Sequence, residues 1–260
     1  MDLDLTPEQR AFRDEVRTFI REKLPSEIRE RLRAGHPPRK QDTVAWQRIL
    51  NERGWAAPHW PKRYGGADLG PMERLILLDE AYRAPAPLPQ AFNVGMLGPV
   101  LMKFGTPAQC DHFLPRLANL DIWFCQGFSE PGSGSDLASL RTAARREGDH
   151  YIVNGQKTWT TQGQHANMIF CLVRTDREAR PQSGISYTVV VTDVEDLNSN
   201  VINANNIDNT QPFIGAGAGG IPINFDGGPI YVDPFLDGAT AGQIFVFNGK
   251  LHIGPSADEG

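Results

Sequence analysis

The 260 residues, 40% of them apolar, suffice for one large domain or two smaller ones around a conventional core, which excludes a chain disordered throughout. A formal charge of −5, from 26 basic against 31 acidic groups, argues against electrostatic binding of nucleic acid as the main task. The cysteines Cys110, Cys125 and Cys171 are widely spaced with no C-x-x-C pair; they offer no zinc framework, fit a reducing compartment and read as packing residues.

The chain opens Met1-Asp2-Leu3-Asp4, with neither a basic region nor an apolar core of signal-peptide length, and no run approaches the roughly 18 apolar residues of a membrane span. It therefore reads as soluble and cytoplasmic. Thr6-Pro7-Glu8-Gln9 is a helix start: a hydroxyl cap, proline at the first helical position and an acidic first turn. Phe12, Val16, Phe19 and Ile20 then share a face until Leu24-Pro25 ends the pattern. A second helix is predicted from Asp42 through Arg53, with Ala45, Trp46 and Ile49 packed and Gly54 as its stop. Glycines and prolines make 58–70 irregular, and Pro71-Met72-Glu73 starts a helix running toward Tyr82. The prolines at 85, 87 and 89 forbid a helix there, whereas Ala91 to Phe104 fits one that Gly95, Gly98 and Pro99 can kink. Gly105 stops it, and Thr106-Pro107 starts another that ends near Leu117. Residues 1–120 are thus predicted to form a helical bundle.

The hydrophobic period then changes. Strands are expected at Ile122 to Phe128, at Thr142 to Arg146, at Tyr151 to Val153 (ending in an Asn154-Gly155 turn), at Met168 to Val173 and at Ile185 to Val191. These make 121–196 a β-domain, a small barrel or sandwich, and the whole an α+β multidomain chain. Residues 197–260 differ again: Lys250 is the only Lys or Arg there, and Asn-rich and Gly-rich stretches alternate with short apolar runs. This tail is expected to be mostly irregular with short strands, Gln243 to Asn248 being the convincing one.

Two runs carry the chemistry. From Cys125 to Asp136, a polar, glycine-broken segment follows the apolar Ile122-Trp123-Phe124, so the chain leaves a buried strand and opens a ring of backbone N–H groups and small hydroxyls suited to an anion or cofactor. From Asn154 to Thr161, Trp159 stands between hydroxyl residues. Together they suggest a flat aromatic ligand with a phosphate tail rather than a metal. Each residue also has a purely structural reading: Ser129, Ser133 and Ser135 can satisfy a tight turn, and Trp159 can be a core aromatic. Glu130 and Asp136, beside turn glycines, read as acceptors of backbone N–H groups rather than as an acid and base pair. Arg141, Arg145, Arg146 and His150 read as a solvated strand face. A hydrolase is disfavoured, because the serines lack a nucleophile elbow and the histidines show no triad order.

Four features together resemble the acyl-CoA dehydrogenase family over roughly residues 5–195: the N-terminal amphipathic helix, the Gly-Trp-Ala-Ala-Pro-His-Trp-Pro-Lys-Arg-Tyr-Gly-Gly loop at 54–66, Ser-Glu-Pro-Gly-Ser-Gly-Ser-Asp at 129–136 and Asn-Gly-Gln-Lys-Thr-Trp-Thr-Thr at 154–161. The resemblance implies FAD as cofactor. Gln126, Phe128 and Ser129 would line its isoalloxazine ring, Trp159 would lie near that ring, Thr161 would hydrogen-bond it, and Ser135 would stand where the pyrophosphate and the CoA part of the substrate approach. It further implies α,β-dehydrogenation of an acyl-CoA thioester, electron-transfer flavoprotein as partner and a homo- or hetero-oligomer, with neither nucleic acid nor membrane as a partner. Cys125-Gln126-Gly127-Phe128 is most similar to bacterial members acting on bulky or steroid side-chain thioesters.

The family carries its catalytic glutamate in a C-terminal helical domain. Here Glu195 and Glu259 are the only glutamates after Arg180, neither in an apolar helical setting, so no catalytic residue is assigned. The usual C-terminal four-helix domain is expected to be absent, which leaves a fragment, an altered C-terminus or a half-protein relying on a partner. On that reading the isolated chain associates through open apolar surface and binds FAD weakly or not at all. The alternative function is a non-catalytic scaffold or partner subunit.

Overall fold

The computed structural model describes residues 4–147, 150–191, 194–196, 221–232, 245–248 and 251–253. Expectations for the rest of the tail lie outside the described residues. The chain divides into two compact units, Met1–Val100 with Cys110–Asp121, and Leu101–Gln109 with Ile122–Gly260.

The first unit is helical. Helix α1 (Pro7–Lys23) begins with a closed capping box, in which Thr6 Oγ1 accepts the Gln9 N–H at 3.2 Å and Gln9 Oε1 accepts the Thr6 N–H at 2.9 Å. It buries Val16, Phe19 and Ile20. Helix α2 (Ser26–Arg33), absent from the sequence reading, follows directly after Pro25. Only Ile28 of its eight residues is buried, too little for a hydrophobic period to show.

Helix α3 (Lys40–Asn51) buries Thr43, Trp46, Gln47 and Leu50, whereas Ala45, expected in the core, is exposed. The buried stripe runs through positions 43, 46, 47 and 50, and Ala45 falls off it by about 100° of helical rotation. Gln47 is polar and 1% exposed, yet satisfied: its amide donates to the Leu117 and Ala118 carbonyls at 3.2 and 3.0 Å and accepts the Gln90 N–H at 2.7 Å.

Helix α4 (Pro71–Arg83) is tied to α1 by Arg17, whose guanidinium reaches both oxygens of the buried Glu80 at 2.9 and 2.7 Å. Its opposite side leaves Met72, Leu75, Leu78 and Tyr82 exposed. The core packs Phe19 edge-on against Trp55 at 4.9 Å. Trp60 is fully buried, with its indole N–H on the Val94 carbonyl at 2.9 Å, and a Cβ at Gly98 would overlap its ring. The predicted helix over 91–104 is a π-helical stretch, Phe92–Leu97, followed by α5 (Gly98–Phe104). Helix α6 (Pro107–Ala118) restarts from Thr106 with the same reciprocal Thr–Gln cap as α1, here to Gln109.

The second unit holds the helical residues 101–104 and 107–109 and a sheet. Strands β1 (Phe124–Gly127), β2 (Ala143–Glu147), β3 (His150–Thr160), β4 (Met168–Arg174), β5 (Ile185–Val191) and β6 (Val194–Asp196) are joined by β7 (Ile221–Val232), β8 (Phe245–Asn248) and β9 (Leu251–Ile253). The pairings run β3-β2-β4-β5-β8-β7, and β7 returns to β3, closing a ring as a barrel requires. In the tail, the convincing predicted strand is found as β8. The 12-residue β7 replaces expected irregular chain: its Pro222, Gly227, Gly228 and Pro229 hide the period, and pairing with β3 supplies the order that local propensity does not.

The Asn154-Gly155 turn is also corrected. Strand β3 runs straight through both residues, with Asn154 opposite Ala143. Gly155 has φ 148°, and a Cβ there would stand 2.5 Å from Thr142 Cα. The glycine serves a close backbone approach, not a turn.

Candidate functional site

The Cys125–Asp136 run leaves the sheet at the end of β1. Gly127 sits so tightly on β4 that a Cβ would meet Cys171 Sγ at 2.5 Å and Ile169 Cδ1 at 2.8 Å. Half-buried Gln126 lies on β1 opposite Phe170. The Phe128 ring packs edge-on against Phe170 (5.8 Å) and Tyr187 (6.3 Å), while its carbonyl accepts Lys157 Nζ at 3.0 Å.

Glu130 and Ser133 exchange backbone hydrogen bonds of 2.8 and 3.1 Å, closing a tight turn over Pro131-Gly132. Ser133 Oγ donates to the Asp136 carbonyl at 2.9 Å, so this serine fulfils the structural reading. Ser129 and Ser135 do not: Ser129 is half-buried, Ser135 is exposed, and neither hydroxyl has a partner among the described residues.

The Glu130 carboxylate accepts the Arg141 and Thr142 N–H groups at 2.7 and 2.9 Å and Lys157 Nζ at 2.8 Å. Burial works to raise its pKa, but the hydrogen bonds from Lys157 and from the Arg141 and Thr142 N–H groups outweigh this and hold it below the usual carboxylate range. An ionised, fully engaged carboxylate is no general acid, as the sequence reading of Glu130 held. Asp136 differs from its expectation: its carbonyl, not its carboxylate, is the acceptor, for the Ser133 and Ser139 hydroxyls.

The second run meets the first through the Thr158 N–H, which donates to the Ser129 carbonyl at 2.9 Å. On β3 the buried side chains alternate through Tyr151, Val153 and Lys157. Trp159 shares that parity and would be buried by simple alternation. Instead the pairing of β3 with β7 slips between Lys157 and Thr160, a bulge, and Trp159 takes a left-handed φ of 54°. The indole is thereby 56% exposed, Thr160 takes the inward position at 0%, and Thr161 is exposed. An aromatic residue with positive φ on a bulge is a costly arrangement of the kind that concentrates at ligand sites. Lys157 was missed as a site residue, although its place on the inward parity of Tyr151 and Val153 was readable.

These residues fit a flavin: an outward indole, the hydroxyls of Ser129, Ser135 and Thr161, which have no partner among the described residues, and a turn whose Gly132 and Gly134 have open space where a side chain would stand. Burial pushes the Cys125 thiol well up and that of Cys171 to about 12, so both are inert packing groups, in keeping with the sequence reading. Among the described residues no group of three or more His, Cys, Asp or Glu side chains is arranged to hold a metal, and no helix is long and apolar enough to cross a membrane.

Two family descriptions match the chain: "Acyl-CoA dehydrogenase, N-terminal domain" over residues 6–121 and "Acyl-CoA dehydrogenase, middle domain" over 125–206. The acyl-CoA dehydrogenase FadE26 of Mycobacterium tuberculosis is 40% identical over 200 residues, covering 75% of this chain and 50% of the relative. FadE29 of the same organism is 41% identical over 193 residues, covering 74% and 49%. Among solved structures, the ChsE4–ChsE5 complex from M. tuberculosis superposes with a TM-score of 0.62 at 39% identity, over 74% of this chain and 48% of that one. The Tcur3481–Tcur3483 steroid ACAD gives 0.63 at 37% identity, over 73% and 49%. The chain thus spans about half the length of the curated relatives it matches. With both characteristic runs on one sheet unit and both domain descriptions matched, the chain belongs to the acyl-CoA dehydrogenase family, of which it carries the N-terminal and middle domains.

Proposed function

We propose that the second unit holds FAD and that the protein takes part in α,β-dehydrogenation of an acyl-CoA thioester. The observation that carries this reading is the bulge that turns Trp159 outward beside exposed Thr161, on the strand tied to Ser129 by the Thr158 N–H. FAD, when bound, supplies the hydride acceptor. Trp159 offers an aromatic face to the ring, Thr161, Ser129 and the Phe128 N–H offer hydrogen bonds, Gln126 lines the same end of β1, and Ser135 on its glycine turn offers a hydroxyl to the anionic tail and to CoA. No described residue is assigned as the base: Glu130 is held by Lys157 and two N–H groups.

The name steroid ACAD supports a steroid or similarly bulky thioester as substrate, and the two-component ChsE4–ChsE5 complex supports a hetero-oligomer. Electron-transfer flavoprotein is the proposed electron acceptor. The cytoplasm is the proposed compartment, supported by three buried free thiols.

The second reading is a non-catalytic partner subunit, supported by the two-component ChsE4–ChsE5 complex among the similar structures. Adding an acyl-CoA anaerobically to the FAD-reconstituted protein separates the two. Bleaching of the flavin spectrum supports the dehydrogenase, and stable association with a complementary chain without bleaching supports the subunit.

A further inference from the structure

Helices α1, α2 and α4 bring Arg17, Arg21, Arg29, Arg33 and Arg83 around one surface depression of about 320 Å³, beside Glu80. This gathering runs against the sign of a chain whose net charge is −5. Nearby carboxylates offset only part of it. Glu80 is buried and taken on both oxygens by Arg17, which also lies 4.0 Å from Asp14, Asp79 accepts Arg83 Nε at 2.7 Å, and Glu22 lies 3.3 Å from Arg21. Among the described residues Arg29 donates only to neutral carbonyls, those of Ile20, Arg21 and Leu24, at 3.2, 2.9 and 3.4 Å. Arg33 is exposed and has no side-chain partner among the described residues. Two of the guanidinium charges therefore have no carboxylate among the described residues.

Structural duty accounts for Arg17, which anchors α4, and for Arg29, which closes the C-terminal end of α1. It does not account for Arg21 and Arg83, whose side chains are 64% and 66% exposed, or for Arg33, and like charges held together cost stability unless an anion joins them.

We propose that this depression binds a small, multiply charged phosphate compound of the inorganic diphosphate class. Guanidinium forks match phosphate oxygens in paired hydrogen bonds. Arg17 and Arg29 are already held in place by their partners, so little of their side-chain freedom is lost on binding. The volume lies at the low end for small-molecule sites, and Ala84 is the sole apolar side chain in the lining, which suits a compact anion and not a hydrocarbon or an aromatic ring. The site is independent of the flavin reading, since it lies wholly in the first unit.

Isothermal titration calorimetry of the full chain with sodium diphosphate at low ionic strength tests this. Saturable binding is expected, weakened roughly tenfold by Arg33→Ala, more by Arg21→Ala with Arg33→Ala, and unchanged by Arg10→Ala, an exposed arginine of α1 outside the lining. Absence of saturable binding, or binding that the double variant leaves unchanged, overturns the proposal. So does a hexaglutamate peptide binding more tightly than diphosphate, which would make the surface a dock for an acidic protein segment.

Discussion

Lys157 Nζ lies 2.8 Å from Glu130 Oε1, with Lys157 fully buried and Glu130 only 6% exposed, and this pair fastens the glycine-rich run to the strand that bears Trp159. Removing one partner leaves the other charge buried and alone. Lys157→Met is expected to lower stability by roughly 3–5 kcal/mol, because a broken buried pair costs far more than the intact pair contributes. Replacing both residues by apolar ones of similar size should cost less than either single change, as a urea double-mutant cycle would reveal.

The same pair sets an acid limit. Glu130 is held below its ordinary pKa when folded, so its contribution is fully present above the unfolded value and is lost as pH falls from about 4.5 through the lower folded value. Urea midpoints measured across the acid range should fall below about pH 4.5 in the wild-type chain. Glu130→Gln should flatten that part of the curve, and an identical slope in the two proteins would remove Glu130 as its cause.

Gly155 passes close over Thr142 with a φ that side chains rarely adopt. Gly155→Ala is expected to destabilise by roughly 2–4 kcal/mol, combining overpacking with backbone strain. Thermal or chemical denaturation reads the loss, and a change under about 0.5 kcal/mol, the size of an ordinary surface effect, would show that the backbone shifts freely there.

Thr160 occupies the inward position after the bulge with a buried hydroxyl that has no partner among the described residues. Valine has nearly the same shape without the polar atom. Thr160→Val is therefore expected to raise stability by about 1 kcal/mol, and a loss of that size would reveal a hydrogen bond to the hydroxyl.

Where local chemistry decides structure, the sequence was readable. Thr6-Pro7 and Thr106-Pro107 each mark a helix start through caps that need only neighbouring residues, and both open helices with the same Thr–Gln box. Where a distant partner decides, it was not. Gly155 next to an asparagine reads as a turn until Thr142 is seen beneath it, and β7 has no visible period because its order comes from β3. The candidate site divides the same way. Exposed Ser135 and Thr161 follow from their glycine-rich and hydroxyl-rich runs, while the bulge that frees Trp159 is a slip between two strands far apart in sequence.

Titration of the full chain with FAD, followed by quenching of flavin fluorescence, tests the proposed cofactor site most directly. Weak but saturable quenching is predicted, with affinity falling roughly tenfold or more in Trp159→Ala and by less in Thr161→Val, while circular dichroism stays unchanged. Absence of saturable quenching, or quenching that Trp159→Ala leaves intact, would contradict the assignment of this bulged strand as the flavin-binding edge.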